Sequence, residues 1–114
     1  MEEPTNYLVE ITSKAEQYYW TLLAHLYETH SIERANKKSD DIIKIAMSLK
    51  VNPQRGRLEE DLAVYNKEFR ALIYHVTKRN TVKIIYFIEE DTKTVYVTDF
   101  FPTRKDPDEK TKRR

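Results

Sequence analysis

The chain has 114 residues, of which 39% are hydrophobic and 34% carry a charge. This length suits one domain that buries a modest core without covalent staples. The absence of cysteine excludes disulfides and thiolate metal sites and fits a reducing compartment. No apolar stretch approaches the roughly 20 residues that span a bilayer, and the acidic N-terminus lacks an apolar signal segment. We therefore expect a cytoplasmic protein that needs no cofactor, no metal and no membrane.

The charges are balanced in total but unevenly placed. Residues 1–49 contain five Lys or Arg against eight Asp or Glu, whereas residues 50–114 contain fifteen against eleven. The second half of the chain is therefore the part expected to contact an anionic partner.

The first half predicts a strand followed by two helices. Residues 7–11 alternate as a short strand, and Ser13 begins a helix with a capping box completed by Glu16. Ser31 is the predicted N-cap of a second helix, which ends at Asn52-Pro53. Apolar residues recur in both helices at spacings of three and four. The short connection predicts an antiparallel helical hairpin that packs on a sheet.

The second half predicts the rest of the sheet. A linker with the only glycine, Pro53-Gln54-Arg55-Gly56-Arg57, leads to residues 58–65, interpreted as a short helical or irregular crossing. Three runs rich in β-branched and aromatic residues follow, at residues 69–76, 82–88 and 94–101. The order β-α-α-β-β-β predicts a two-layer α+β fold, an antiparallel sheet against the N-terminal helical hairpin. We expect one domain at residues 1–105 and a disordered charged tail at residues 106–114.

Alternation along the strands predicts which side chains share a face. In the first run we assign Phe69, Ala71 and Ile73 to the core, and the second run is treated likewise. In the third run Val95, Val97 and Phe101 are assigned to the core. The outward surface then interleaves cations with aromatic rings, as a splayed RNA strand requires for its phosphates and bases. The predicted surface comprises Arg70, Tyr74, Lys83, Tyr96 and Phe100, with Arg104 and Lys105 at its rim.

Structural interpretations of the same cations stay open. Arg70 can form an ion pair with Glu68 or Asp99 across the sheet. Lys83 can be a solvated lysine that protects a strand edge.

Four features of the chain, taken in order, carry a resemblance to a known family. A strand and a helical hairpin precede the basic linker that ends in Gly56-Arg57. Phe69-Arg70 then opens a strand, Val82-Lys83-Ile84-Ile85-Tyr86 is similar to a Tyr-Arg-Leu-Val-Tyr run, and Arg104 follows the last strand. This set, which covers nearly the whole chain, resembles the RelE/ParE superfamily of toxins from bacterial type II toxin–antitoxin modules.

The resemblance implies a toxin that a cognate antitoxin neutralises, with oligomers formed through the antitoxin. RelE-like toxins cut ribosome-bound mRNA without a metal, whereas ParE-like toxins inhibit DNA gyrase. By resemblance Arg70, Lys83 and Arg104 are the catalytic candidates, and metal-independent endoribonuclease activity is slightly favoured. Lys83 replaces an Arg of the family, however, and the Tyr expected beyond Arg104 is missing. A gyrase inhibitor without catalysis and a degenerate toxin that binds only its antitoxin are the alternatives.

Overall fold

The computed structural model describes residues 6–59 and 67–104. Within them the chain forms two α-helices and one five-stranded sheet, so the predicted α+β class is confirmed. The helices are α1 (Ser13–Thr29) and α2 (Ile32–Met47). The strands are β1 (Leu8–Ile11), β2 (Arg57–Leu58), β3 (Phe69–His75), β4 (Asn80–Glu89) and β5 (Thr94–Arg104). The predicted tail at residues 106–114 and residues 60–65 of the predicted crossing lie outside the described residues.

The order of strands across the sheet is β1-β5-β4-β3-β2. β1 runs parallel to β5, and the other neighbours are antiparallel. The prediction of a wholly antiparallel sheet is therefore wrong at β1. A parallel neighbour requires a long connection, which the helices and the intervening strands supply. The two-residue strand β2, predicted as linker and crossing, pairs with Arg70 and Ala71 of β3.

Side-chain caps begin both helices. The hydroxyl of Ser31 accepts a hydrogen bond from the Arg34 amide at 3.2 Å, which confirms the predicted N-cap of α2. For α1 the cap is Thr12, whose Oγ1 accepts from the Ala15 amide at 3.1 Å. The prediction of Ser13 was one residue late, because Thr12 is the last residue with extended backbone and a hydroxyl in reach.

The apolar sides of the helices cover one face of the sheet, here called the helix-covered face. Ala15, Leu22 and Leu26 of α1 and Ala35, Ile42 and Ala46 of α2 are buried against it. Strand residues on this face include Leu72, Tyr74, Val82, Ile84, Tyr86, Val95, Val97 and Phe100. The other side, the opposite face, carries Ala71, Ile73, Lys83, Ile85, Phe87 and Tyr96, as strand alternation requires.

A bulge in β5 reverses the alternation of its second half. Ile85 pairs with Asp99 and Tyr86 pairs with Val97, so Thr98 is an extra residue. As a result Phe100 lies in the core at 1% exposure, while Phe101 is 43% exposed. The predicted assignment of these two rings, with Phe100 outward and Phe101 in the core, is therefore wrong.

Beyond the bulge, the outer edge of β5 has no pairing with β1, because β1 pairs only with residues 94–97. The Asn80 carbonyl accepts a hydrogen bond from the Val76 amide at 2.9 Å. The backbone N–H and C=O groups of the even-numbered residues at this end of β4 therefore point toward β3. The residues opposite them, Phe100 and Pro102, therefore direct theirs away from β4. The Phe100 amide is close enough to the Asp99 carboxylate to lower its pKa, against the larger effect of burial, and proline has no N–H.

The buried ring of Tyr86 fixes the linker to the sheet. Its hydroxyl donates to the Pro53 carbonyl at 2.6 Å and accepts from the Gly56 amide at 3.0 Å. A Cβ at Gly56 would lie 2.2 Å from the Tyr86 hydroxyl oxygen and 3.0 Å from the Ala71 carbonyl oxygen. The only glycine is thus required by close approach, since its φ of −71° suits any residue.

We predict that Gly56→Ala lowers the free energy of unfolding by about 1–3 kcal/mol through overpacking. Tyr86→Phe should cost a similar amount, because it leaves two buried backbone groups unsatisfied. In the double variant the closest clash is gone, so the combined cost should be smaller than the sum. Urea denaturation of the four proteins measures this coupling, and strictly additive costs would contradict the contact.

We also predict that Asp99→Asn stabilises the protein at neutral pH. Burial raises the pKa of Asp99, so the folded chain holds this proton more tightly than the unfolded chain. The contribution of Asp99 to stability is therefore greatest below the ordinary pKa of aspartate and is lost as the pH rises through the raised value. Asparagine keeps an acceptor for the Phe100 amide but carries no charge. Urea denaturation should show a gain at neutral pH and little difference near about pH 3; a loss of stability at neutral pH would refute the prediction.

Candidate functional site

The candidate cations of β3 and β4 lie on different faces of the sheet. Arg70 is opposite Tyr86 in the β3–β4 register, which places it on the helix-covered face. Lys83 is opposite Ile73, on the opposite face. The prediction that Arg70 and Lys83 share one surface is therefore wrong. Both faces of β3 carry apolar side chains, so its alternation alone did not indicate which face meets the helices.

Arg70 is engaged by the backbone of the linker. Its Nη1 donates to the carbonyl oxygens of Gln54 at 3.0 Å and Gly56 at 2.9 Å. Its Nη2 lies 3.9 Å from the carboxylate of Glu68, a side chain that is 78% exposed. The guanidinium thus holds the linker on β3, and the ion pair with Glu68 is a minor addition.

Lys83 forms a closer ion pair on the opposite face. Its Nζ lies 3.0 and 3.3 Å from the two carboxylate oxygens of Glu59, just after β2. The two side chains are 29% and 16% exposed. The partial burial favours a maintained pair over a freely solvated lysine.

The backbone of Arg104 lies at the far end of the sheet. Arg104 pairs with Asn80, whereas Arg70 pairs with Tyr86, six residues further along β4. Six residues of strand span about 20 Å. This separation of the two backbones does not support a site in which both residues contact one phosphate. Lys105 lies outside the described residues.

The three aromatic candidates are also dispersed. Tyr74, on the helix-covered face, donates to the Asp41 carboxylate at 3.1 Å, and burial together with this contact raises the pKa of Tyr74 to about 12. Tyr96 stacks on Phe87 at 5.3 Å on the opposite face. Phe100 is buried in the core. The predicted RNA surface is therefore not assembled, although the roles of its individual residues stay predictions.

A different set of exposed rings lies along α1 and the end of β5. Trp20 is 56% exposed but lies two residues from Tyr18, on another side of α1. Tyr18 is 40% exposed and Phe101 is 43% exposed; we call these two residues the aromatic surface. Beside them lies a groove of about 500 Å³, lined by Tyr18, Thr21, Leu22, His25 and residues 99–102. The sequence signal was the run Tyr18-Tyr19-Trp20, of which only Tyr19 packs against the core.

No group of three or more His, Asp or Glu side chains in residues 6–59 and 67–104 is placed to hold a metal ion. Neither α1 nor α2 is long and apolar enough to cross a membrane.

Comparison with models of known protein families and with curated protein sequences finds no match for this chain.

We predict that Arg70→Lys destabilises the protein although the charge is kept. Lysine cannot reproduce the forked hydrogen bonds to the Gln54 and Gly56 carbonyls, so the free energy of unfolding should fall by about 1–2 kcal/mol. Lys14→Arg, an exposed change on α1, is the control and should leave stability unchanged. If urea denaturation gives Arg70→Lys the stability of the unmodified chain, the guanidinium has no structural role.

Proposed function

We propose that this protein is the toxin subunit of a RelE/ParE-like type II toxin–antitoxin pair and that it acts by binding a protein, in the manner of a gyrase inhibitor. The element order β1-α1-α2-β2-β3-β4-β5 supports the resemblance. So does the position of the linker, which lies between the helices and the C-terminal strands and is tied to Tyr86.

The observation that carries the choice of mechanism is the separation of the three candidate cations. Metal-free RNA cleavage needs positive groups around one phosphate to stabilise the charge that develops on it. Arg70 and Lys83 lie on different faces and are engaged by backbone carbonyls and by Glu59, respectively. This arrangement favours structural roles for both cations and an inhibitor without catalysis.

The aromatic surface supports binding to a protein partner. Tyr18 and Phe101 expose large rings along a groove whose lining is mostly apolar. Exposed rings that border an apolar groove are typical of protein–protein interfaces, and Trp and Tyr supply much of the binding energy there. We propose that the target protein binds this surface, and we expect the cognate antitoxin to block access to it.

Expression of the chain without its antitoxin, followed by pulse-labelling of protein and DNA synthesis, tests the proposal. We expect DNA synthesis to fall first, with a DNA-damage response and intact mRNA. Early loss of translation with cleaved mRNA, relieved by Arg104→Ala, would contradict it and support the ribosome-dependent nuclease. A chain that arrests neither process would indicate a degenerate toxin.

We predict that Tyr18→Ala relieves growth arrest by weakening target binding about 30-fold, the effect of a hot-spot residue worth about 2 kcal/mol. The matched control is Ile32→Ala, which removes an apolar side chain that is 70% exposed at the start of α2. Growth curves with matched expression levels provide the measurement. Equal toxicity of Tyr18→Ala and the unmodified chain would exclude the aromatic surface as the target site.

A further inference from the structure

A small cavity with a cationic lining lies between α2 and β3, away from the aromatic surface. Its volume is about 270 Å³. One side of α2 contributes Arg34, Lys37, Lys38 and Asp41, because residues spaced by three or four share a helix face. Tyr74 of β3 and Thr77 of the following turn form the other wall. Three permanent cations therefore face one carboxylate, with the ring of His30 near them.

Lys38 is held in this cavity without an anionic partner. Its Nζ donates to the Val76 carbonyl at 2.6 Å, and the side chain is half-buried. Within residues 6–59 and 67–104 no carboxylate lies within ion-pair distance of this ammonium. A partly buried cation without a counter-charge is costly. Two of its three N–H donors remain for a ligand, so a bound anion would offset the cost.

Arg34, one helical turn from Lys38, carries a guanidinium that is available to a ligand. Across the described part of the chain its guanidinium makes no hydrogen bond or ion pair, although its backbone amide is used by the Ser31 cap. A guanidinium in this position can bind two oxygens of one phosphate or carboxylate. Arg34 and Lys38 are separated by about 6 Å along the helix axis, so one tetrahedral anion can contact both side chains.

The single carboxylate of the cavity is already compensated. Asp41 lies 3.7 Å from Lys37 Nζ and accepts from the Tyr74 hydroxyl at 3.1 Å. Two cations, Arg34 and Lys38, are therefore left for a ligand, which matches the charge of a phosphate monoester near neutral pH. A diester carries one charge and has two substituents that must both leave the cavity.

We propose that this cavity binds the phosphate group of a small phosphate monoester. Arg34 and Lys38 contact the phosphate, while Asp41 and Thr77 offer hydrogen-bond partners to hydroxyl groups of the attached moiety. The site shares no residue with the aromatic surface or with the three candidate cations. It stands independently of the proposed toxin function.

Isothermal titration calorimetry of the full chain with ribose 5-phosphate tests the proposal, at constant ionic strength and neutral pH. Ribose without phosphate and the phosphodiester adenylyl-adenosine are the comparison ligands. We expect saturable binding of ribose 5-phosphate, much weaker binding of the diester and none of ribose. Diester binding as tight as that of the monoester, or no binding of ribose 5-phosphate, would overturn the proposal.

Two variants assign the binding to the named side chains. Arg34→Gln and Lys38→Met should each weaken ribose 5-phosphate binding about tenfold, the effect of losing one charge-assisted contact. The matched control is Lys44→Gln, an exposed lysine of α2 outside the cavity lining, which should leave the affinity unchanged. Arg34 is exposed, so Arg34→Gln is expected to fold even if Lys38→Met does not. Equal affinities of Arg34→Gln and the unmodified chain would refute the assignment.

Discussion

The arrangement of the C-terminal half depends on the two hydrogen bonds made by the Tyr86 hydroxyl group. This group satisfies two backbone groups of the linker within the core, where unpaired polar groups are costly. With the linker fixed, β2 lies beside β3, and the Gln54 and Gly56 carbonyls meet the Arg70 guanidinium. The Tyr86 hydroxyl thus explains why the chain has glycine at position 56. It also explains why Arg70 binds the linker carbonyls rather than lying free to bind an RNA phosphate, as predicted from the sequence.

The sequence predicted the class of fold because its strongest signals are local. The Ser31 cap and the helical spacing of apolar residues depend on neighbours within a few positions. So do the three β-branched runs that became β3, β4 and β5. The parallel pairing of β1 with β5 joins residues more than 80 positions apart, and no local pattern specifies it. β2 is equally non-local, since two residues become a strand only when β3 is beside them.

The candidate site was harder to predict because a face assignment depends on one residue of register. In β3 the apolar side chains of Leu72 and Ile73 fit either face, and pairing with β4 decided between them. In β5 the extra residue Thr98 exchanged the environments of Phe100 and Phe101. The acceptors that Arg70 and Lys83 contact belong to this chain: they are the linker carbonyls and the Glu59 carboxylate.

The edge of β5 beyond its bulge has a consequence for how this end of the molecule can evolve. A second polypeptide laid along the edge would meet the Asp99 carboxylate beside the Phe100 N–H and no N–H at Pro102. Backbone-directed recognition, which accepts many sequences, is therefore suppressed there. Contacts must be made by side chains, and surface side chains can be exchanged without altering the pairing of strands. Related chains could then diverge in partner preference while the scaffold beneath stays constant.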